Sequence, residues 1–215
     1  MWLRYFVPCV RNVDGEAGMF DRVTGTFYTN SGTGAFTTDL TPTSLADLKD
    51  LVNAGKDASA YLGRYVYADG SIGTDATDAI GRVAHVSPNA STNASSRVEG
   101  SRIMVLALTD DGSNVEYGSI SLPTEPAVTG AAQSTWMIPT YWEWVDMCKS
   151  LGAGDFQAVI DAVGMSTTTR YWTSSTSGGG YGHYYVYYFS EGENKIYSDF
   201  GTRTPHPTAR AVFGF

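Results

Sequence analysis

Apolar positions along this chain recur mainly at period two, interrupted by glycine-bearing turns. At three places they switch to the three-to-four spacing of a helix. Residues 2–38 read as short strands and tight turns: Leu3 to Val7, then turns at Val13-Asp14-Gly15, Thr24-Gly25 and Asn30-Ser31-Gly32 around Gly18 to Arg22 and Thr26 to Thr29. The first helical stretch follows. Ser44 and Asp47 stand at capping distance, Leu45, Leu48, Leu51 and Val52 make one apolar stripe, and Gly55 ends it. From Tyr61 the period returns to two. Gly63 to Ala68 predicts a strand closed by an Asp69-Gly70 turn, Ala79 to Val86 a half-buried strand, and Pro88 to Ser96 a polar loop. Arg102 to Leu108 is almost unbroken in its apolarity, which predicts a central strand, with Asp110-Asp111-Gly112 as the hairpin turn after it. Two more helices are expected. One opens on a Thr140/Glu143 capping box and turns Trp144, Met147, Cys148 and Leu151 inward before Gly152. The other runs from Asp155 through Phe156, Val159, Ile160 and Val163 to Gly164.

The tail has a different texture. Arg170-Tyr171-Trp172-Thr173-Ser174-Ser175 reads as an aromatic turn, Gly178-Gly179-Gly180 as a flexible joint, His183 to Phe189 as a tyrosine-laden strand, and Ala209 to Phe215 as an apolar closing strand. Alternation splits the middle strand into Tyr185, Tyr187 and Phe189 on one face and Tyr184, Val186 and Tyr188 on the other. The first set is expected to pack and the second to make contacts, since tyrosine offers a large rigid ring and a hydroxyl at small entropic cost. Trp136, Trp142, Trp144 and Trp172 are expected in the core.

Composition narrows the function classes. Charged residues are only 17%, and the formal net charge is −8, which argues against nucleic-acid or anionic-membrane partners. No run is long enough for a membrane span. Met1 to Tyr5 lacks a basic region followed by an apolar one, so no secretory signal is expected. Cys9 and Cys148 show no disulfide-framework spacing and read as buried thiols. His85, His183 and His206 are isolated from one another and from ligand-spaced cysteines or carboxylates, so no metal and no cofactor are expected. No convergent acid, base and nucleophile is visible, which predicts a protein that is not an enzyme.

Two resemblances add to this. Phe6-Val7-Pro8-Cys9, Asp14-Gly15, Gly18-Met19-Phe20-Asp21 and Phe27 to Gly34 resemble the last strands of the laminin-G/concanavalin-like jelly rolls of phage tail proteins. Gly81-Arg82-Val83, Val105 to Leu108, Ile138-Pro139-Thr140, Tyr171 to Ser175, Phe189 to Gly192 and Arg210 to Phe215 together resemble the C-type-lectin-fold domains of bacterial and phage surface proteins. Several of those are variable proteins of diversity-generating retroelements.

The resemblance implies an α+β, C-type-lectin-like fold with two helices, antiparallel sheets and its two termini paired, preceded by a β meander (1–41) and a connector helix (42–58). The ligand-binding domain would span 59–215, with its variable segment at 170–215. Gly179, Tyr181, His183, Tyr184, Tyr188, Ser198, Asp199, Thr202, Thr204 and His206 are the residue types that diversified template codons yield, and they are the ligand-binding residues the resemblance implies. Glu191, Glu193 and Lys195 are not of that kind. The implied function is a non-enzymatic receptor-binding or adhesin module on a phage tail or bacterial surface, engaging a host-cell surface protein or glycan. The alternative is a structural tail or fimbrial subunit whose tyrosine face forms a homo-oligomer interface. The Glu-Pro-Asn and Gln-Pro-Asp strings of calcium-dependent lectins do not occur; Glu125-Pro126-Ala127 lacks the third oxygen. The reactive cysteine pair of the related formylglycine-generating enzymes is missing from the tail.

Overall fold

The computed structural model describes residues 41–87, 103–151, 170–175 and 206–215 with their side chains. For positions 6–11, 17–21, 26–30, 36–38, 152, 176, 184–190 and 193–200 it describes the backbone alone. The expected loop from Pro88 to Ser96 and the expected helix from Asp155 to Gly164 lie outside the described residues. The architecture is α+β, with three antiparallel sheets and, among the described residues, two α-helices.

The first sheet is a meander in sequence order: β1 (Phe6–Arg11), β2 (Ala17–Asp21), β3 (Thr26–Asn30) and β4 (Phe36–Thr38). The second runs β12-β8-β7-β5-β6, from β12 (Val212–Gly214) and β8 (Ile103–Ala107) through β7 (Ala79–Val86) and β5 (Tyr65–Tyr67) to β6 (Ile72–Gly73). The third is β11-β10-β9, with β9 at Arg170–Thr176, β10 at Tyr184–Ser190 and β11 at Glu193–Phe200.

β8 explains the core. All five of its residues are buried, and they alternate between two helices. Met104 and Leu106 join Trp144, Met147 and Cys148 of α2 (Tyr141–Gly152). Ile103 and Val105 join Leu45, Leu48 and Val52 of α1 (Leu45–Asn53). The continuous apolar run is therefore what a strand roofed on both faces requires, and each such side chain contributes about 1.5–3 kcal/mol by leaving water. β7 and β8 approach so closely that a Cβ on Gly81 would stand 2.6 Å from Val105 Cγ1 and 2.8 Å from the Leu106 carbonyl oxygen.

Both expected capping boxes form. Asp47 N–H donates to Ser44 Oγ at 3.1 Å, and Asp47 Oδ2 accepts from Ser44 N–H at 3.2 Å. The second box is fully buried: Thr140 N–H donates to Glu143 Oε2 at 2.7 Å, and Glu143 N–H to Thr140 Oγ1 at 3.2 Å. The helix N-terminus places its unsatisfied N–H groups around that carboxylate, which makes the site tolerable for a buried acid. The Asp69-Gly70 turn also forms, with Gly70 at φ 85° and its carbonyl accepting from Leu45 N–H at 2.9 Å; α1 is thereby tied to the sheet.

Four expectations are corrected. Asp110-Asp111-Gly112 is not a hairpin turn. It runs antiparallel beside the tail, with Asp111 N–H donating to the Ala209 carbonyl and Ala209 N–H to the Gly112 carbonyl, both at 2.8 Å. Tyr171 to Ser175 is not a turn but part of β9, as its Thr and aromatic content favours. The terminal strands of the expected lectin domain do not pair: β12 bonds β8, while β5 lies between β7 and β6. Trp142 is not in the core but 44% exposed, since only one side of α2 faces the sheet; its neighbour Trp144 takes the inward position.

The tail binds the sheets together. Trp172 N–H donates to the Thr208 carbonyl and Thr208 N–H to the Arg170 carbonyl, at 2.9 and 2.8 Å, so residue 208 adds a parallel bridge to the free edge of β9. A few residues later the same segment pairs with Met137 and becomes β12.

Candidate functional site

β9 is the anchored base of the sheet that holds the tyrosines. Its successive aromatics are buried on opposite sides. Tyr171 packs at 5.7 Å between ring centroids against Trp144, and the Arg210 guanidinium lies 5.7 Å from its ring centroid. Trp172 donates its indole N–H to the Val115 carbonyl at 2.7 Å and meets Tyr117 edge-on at 5.6 Å, within a cluster that includes Ile138, Ala209, Ile120 and Leu122. Arg210, 5% exposed, reaches Asp110 Oδ1 with Nε at 2.7 Å. Ala211 N–H donates to Asp111 Oδ2 at 3.0 Å, and burial pushes that carboxyl above its ordinary range despite the hydrogen bond.

β10 lies between β9 and β11, so both its backbone edges are paired. Position 186 faces Trp172 on one side and Asp199 on the other; position 187 faces Tyr171 and Ser198; position 188 faces Arg170 and Tyr197. The register thus sorts the expected contact residues. Tyr184, Tyr188 and Asp199 occupy positions on the sheet face of Trp172. Ser198 occupies a position on the face of Tyr171, with 185, 187 and 189. His206 lies apart from both strands. Its backbone N–H donates to Asn114 Oδ1 at 2.7 Å, and its Nε2 is 3.9 Å from Glu116 Oε1, beside the loop that covers Trp172. Gly179, Tyr181, His183, Thr202 and Thr204 lie outside the described residues.

A second constellation was not foreseen. β7 carries an extra residue against β8: Val83 pairs with Val105, but His85, not Ala84, pairs with Met104. This bulge puts His85 on the face covered by α2, where strict alternation would have kept it with Val83 on the α1 face. There its Nδ1 stands 2.6 Å from Ser150 Oγ. The imidazole also hydrogen-bonds the backbone of Asp146, one helical turn before Ser150. Burial holds its pKa below the ordinary 6.5, against the opposing pull of the Asp146 charge. Ser150 lines a cleft of about 460 Å³ between the end of α1, the end of β7 and the end of α2. No spacing rule could have found a pair 65 residues apart that depends on a bulge. The only sequence signal was a histidine in a largely apolar strand.

Cys148 is a free, buried thiol whose pKa burial raises to about 12, so it is not a nucleophile at neutral pH. Among the described residues, no three or more His, Cys, Asp or Glu side chains gather as a metal site. No described helix is long and apolar enough to cross a membrane. Compared with known protein families, with curated proteins and with solved structures, the chain matches none.

Proposed function

We propose that the chain is a binding module of C-type-lectin type, using the Trp172 face of the β9–β11 sheet to engage a host-cell surface protein or glycan. The observation that carries this reading is the placement of β10. Four tyrosines, at 184, 185, 187 and 188, sit on a strand bonded on both sides, and the neighbouring strand is locked by buried aromatics on both of its faces. A strand so held displays side chains without spending binding energy on ordering its backbone. Tyr184, Tyr188 and Asp199 make the contact row, and the C-terminal segment 170–215 carries the diversified positions. The chemistry is recognition by aromatic and hydroxyl groups, not calcium coordination.

The test is double. Tyr184→Ala and Tyr188→Ala are expected to abolish adhesion of the purified protein to its host cells while leaving the melting temperature unchanged; adhesion at the wild-type level would overturn the proposal. Dissociation of an oligomer by the same changes, seen by light scattering, would give the face to subunit assembly instead. In the adjacent DNA, a near-copy of the codons for 170–215 that differs only at template adenines, next to a reverse transcriptase gene, is the expected mark of diversification.

A further inference from the structure

We propose that Ser150 is an activated nucleophile for acyl transfer, with His85 as its general base and Asp146 as the positioning group. Three features converge on it. The bulge in β7 turns His85 away from the α1 core and onto the α2 face, which is the usual service of a bulge beside a reacting group. His85 Nδ1 and Ser150 Oγ are 2.6 Å apart, within the range of a base and the hydroxyl it deprotonates. Ser150 also lines a cleft of a size that holds a small molecule, whose other walls are apolar at Val52, Leu62 and Val86 and polar at Lys56 and Ser87. A surface serine that merely capped a histidine would need no cleft beside it.

With its hydrogen on Nε2, the neutral imidazole accepts the Ser150 proton at Nδ1. Asp146 lies on the same helix face, four residues before Ser150, and its charge favours the imidazolium that then forms. The carbonyl groups at the end of α2 act in the same direction. Developing negative charge on the substrate oxygen would be met by Lys56, which lines the same cleft. The apolar walls fit a short aliphatic acyl group, and the substrate class is a short-chain carboxylic ester. Ser150 Oγ bonds to the acyl carbon as its proton moves to His85. His85 returns that proton to the departing alkoxide as the ester C–O bond breaks. Water, deprotonated at the same nitrogen, then cleaves the acyl-serine, which releases the carboxylic acid and restores the hydroxyl.

The experiment treats the folded full chain with a fluorophosphonate probe and, separately, with p-nitrophenyl butyrate. The expected result is a single phosphonyl adduct mapped by mass spectrometry to Ser150, lost on heat unfolding. Ester hydrolysis should fall about 10²- to 10⁴-fold in Ser150→Ala and in His85→Gln. Asp146→Asn should keep the label on Ser150 but move the acid limb of the rate profile to lower pH, because the group that favours the imidazolium is gone. Asp146 faces His85 from α2, and Lys56 and Asp57 are the other charged groups at the cleft. An unlabelled Ser150 in the folded protein, the outcome if Nδ1 carries the hydrogen, overturns the proposal. So does acylation of His85 itself with an unchanged rate in Ser150→Ala. The labelling needs no variant to fold, and it is independent of whether the tyrosine face binds anything.

Discussion

β8 and β10 are both interior strands, each hydrogen-bonded on two edges, yet they are composed in opposite ways. β8 is Ile-Met-Val-Leu-Ala, with every position buried between α1 and α2. β10 is Tyr-Tyr-Val-Tyr-Tyr-Phe-Ser, whose four phenolic hydroxyls must each find a partner or water. An aliphatic strand serves only to fill space. A tyrosine strand in the equivalent position keeps polar atoms that packing alone does not need. The backbone role is shared, and on the proposed function the difference in side chains divides frame from display.

The comparison breaks most sharply at Leu106. Leu106→Ala leaves a cavity between β8 and α2 and is expected to cost about 2–5 kcal/mol, read from chemical denaturation. Tyr188→Ala in β10 should cost less than about 1 kcal/mol; an equal loss would make β10 frame as well. A smaller effect lies at the seam where the tail meets the frame. Asp110→Ala removes the carboxylate that the buried Arg210 reaches with Nε at 2.7 Å and should cost about 2 kcal/mol. Asp111→Asn, which keeps an acceptor for Ala211 N–H and removes a charge that burial disfavours, should change stability by less than about 0.5 kcal/mol. The subtlest is at the end of β7. His85 titrates below the ordinary 6.5 in the folded protein, so in the interval between the two values the unfolded chain binds more protons. Its contribution is complete above pH 6.5 and is lost as the pH falls through the folded value. The melting temperature of His85→Gln should therefore decline less over that interval than that of the wild type.

What was legible in the sequence was local. Ser44 with Asp47 and Thr140 with Glu143 announce their capping boxes because the chemistry is complete within four residues. The apolar run at β8 announces its central place for the same reason. The acidic pair at 110–111 misled, because Asp-Asp-Gly suits a turn and a latch equally well, and its partner Arg210 is 100 residues away. The parity of β10 could be read; which face Ser198 and Asp199 share with it could not, since a register is set by pairing and not by composition. His85 was hidden by a single inserted residue in β7. Trp142 was misplaced because two helical tryptophans two residues apart lie about 200° around the axis from each other and cannot both point inward.

Thr208 returns to β9 beside Tyr171, at the spacing of neighbouring strands, about 5 Å. The chain between them therefore begins and ends at neighbouring points of the frame. Such a segment can be exchanged as a cassette, because a replacement need only meet the same two ends. Doubling its length would cost only about 0.6 kcal/mol in closure entropy. For an engineer, the points beyond Ser175 and before Thr208 are where a foreign hairpin could be grafted, since Ser174 N–H donates to the Pro139 carbonyl and Ser175 Oγ accepts from Tyr141 N–H.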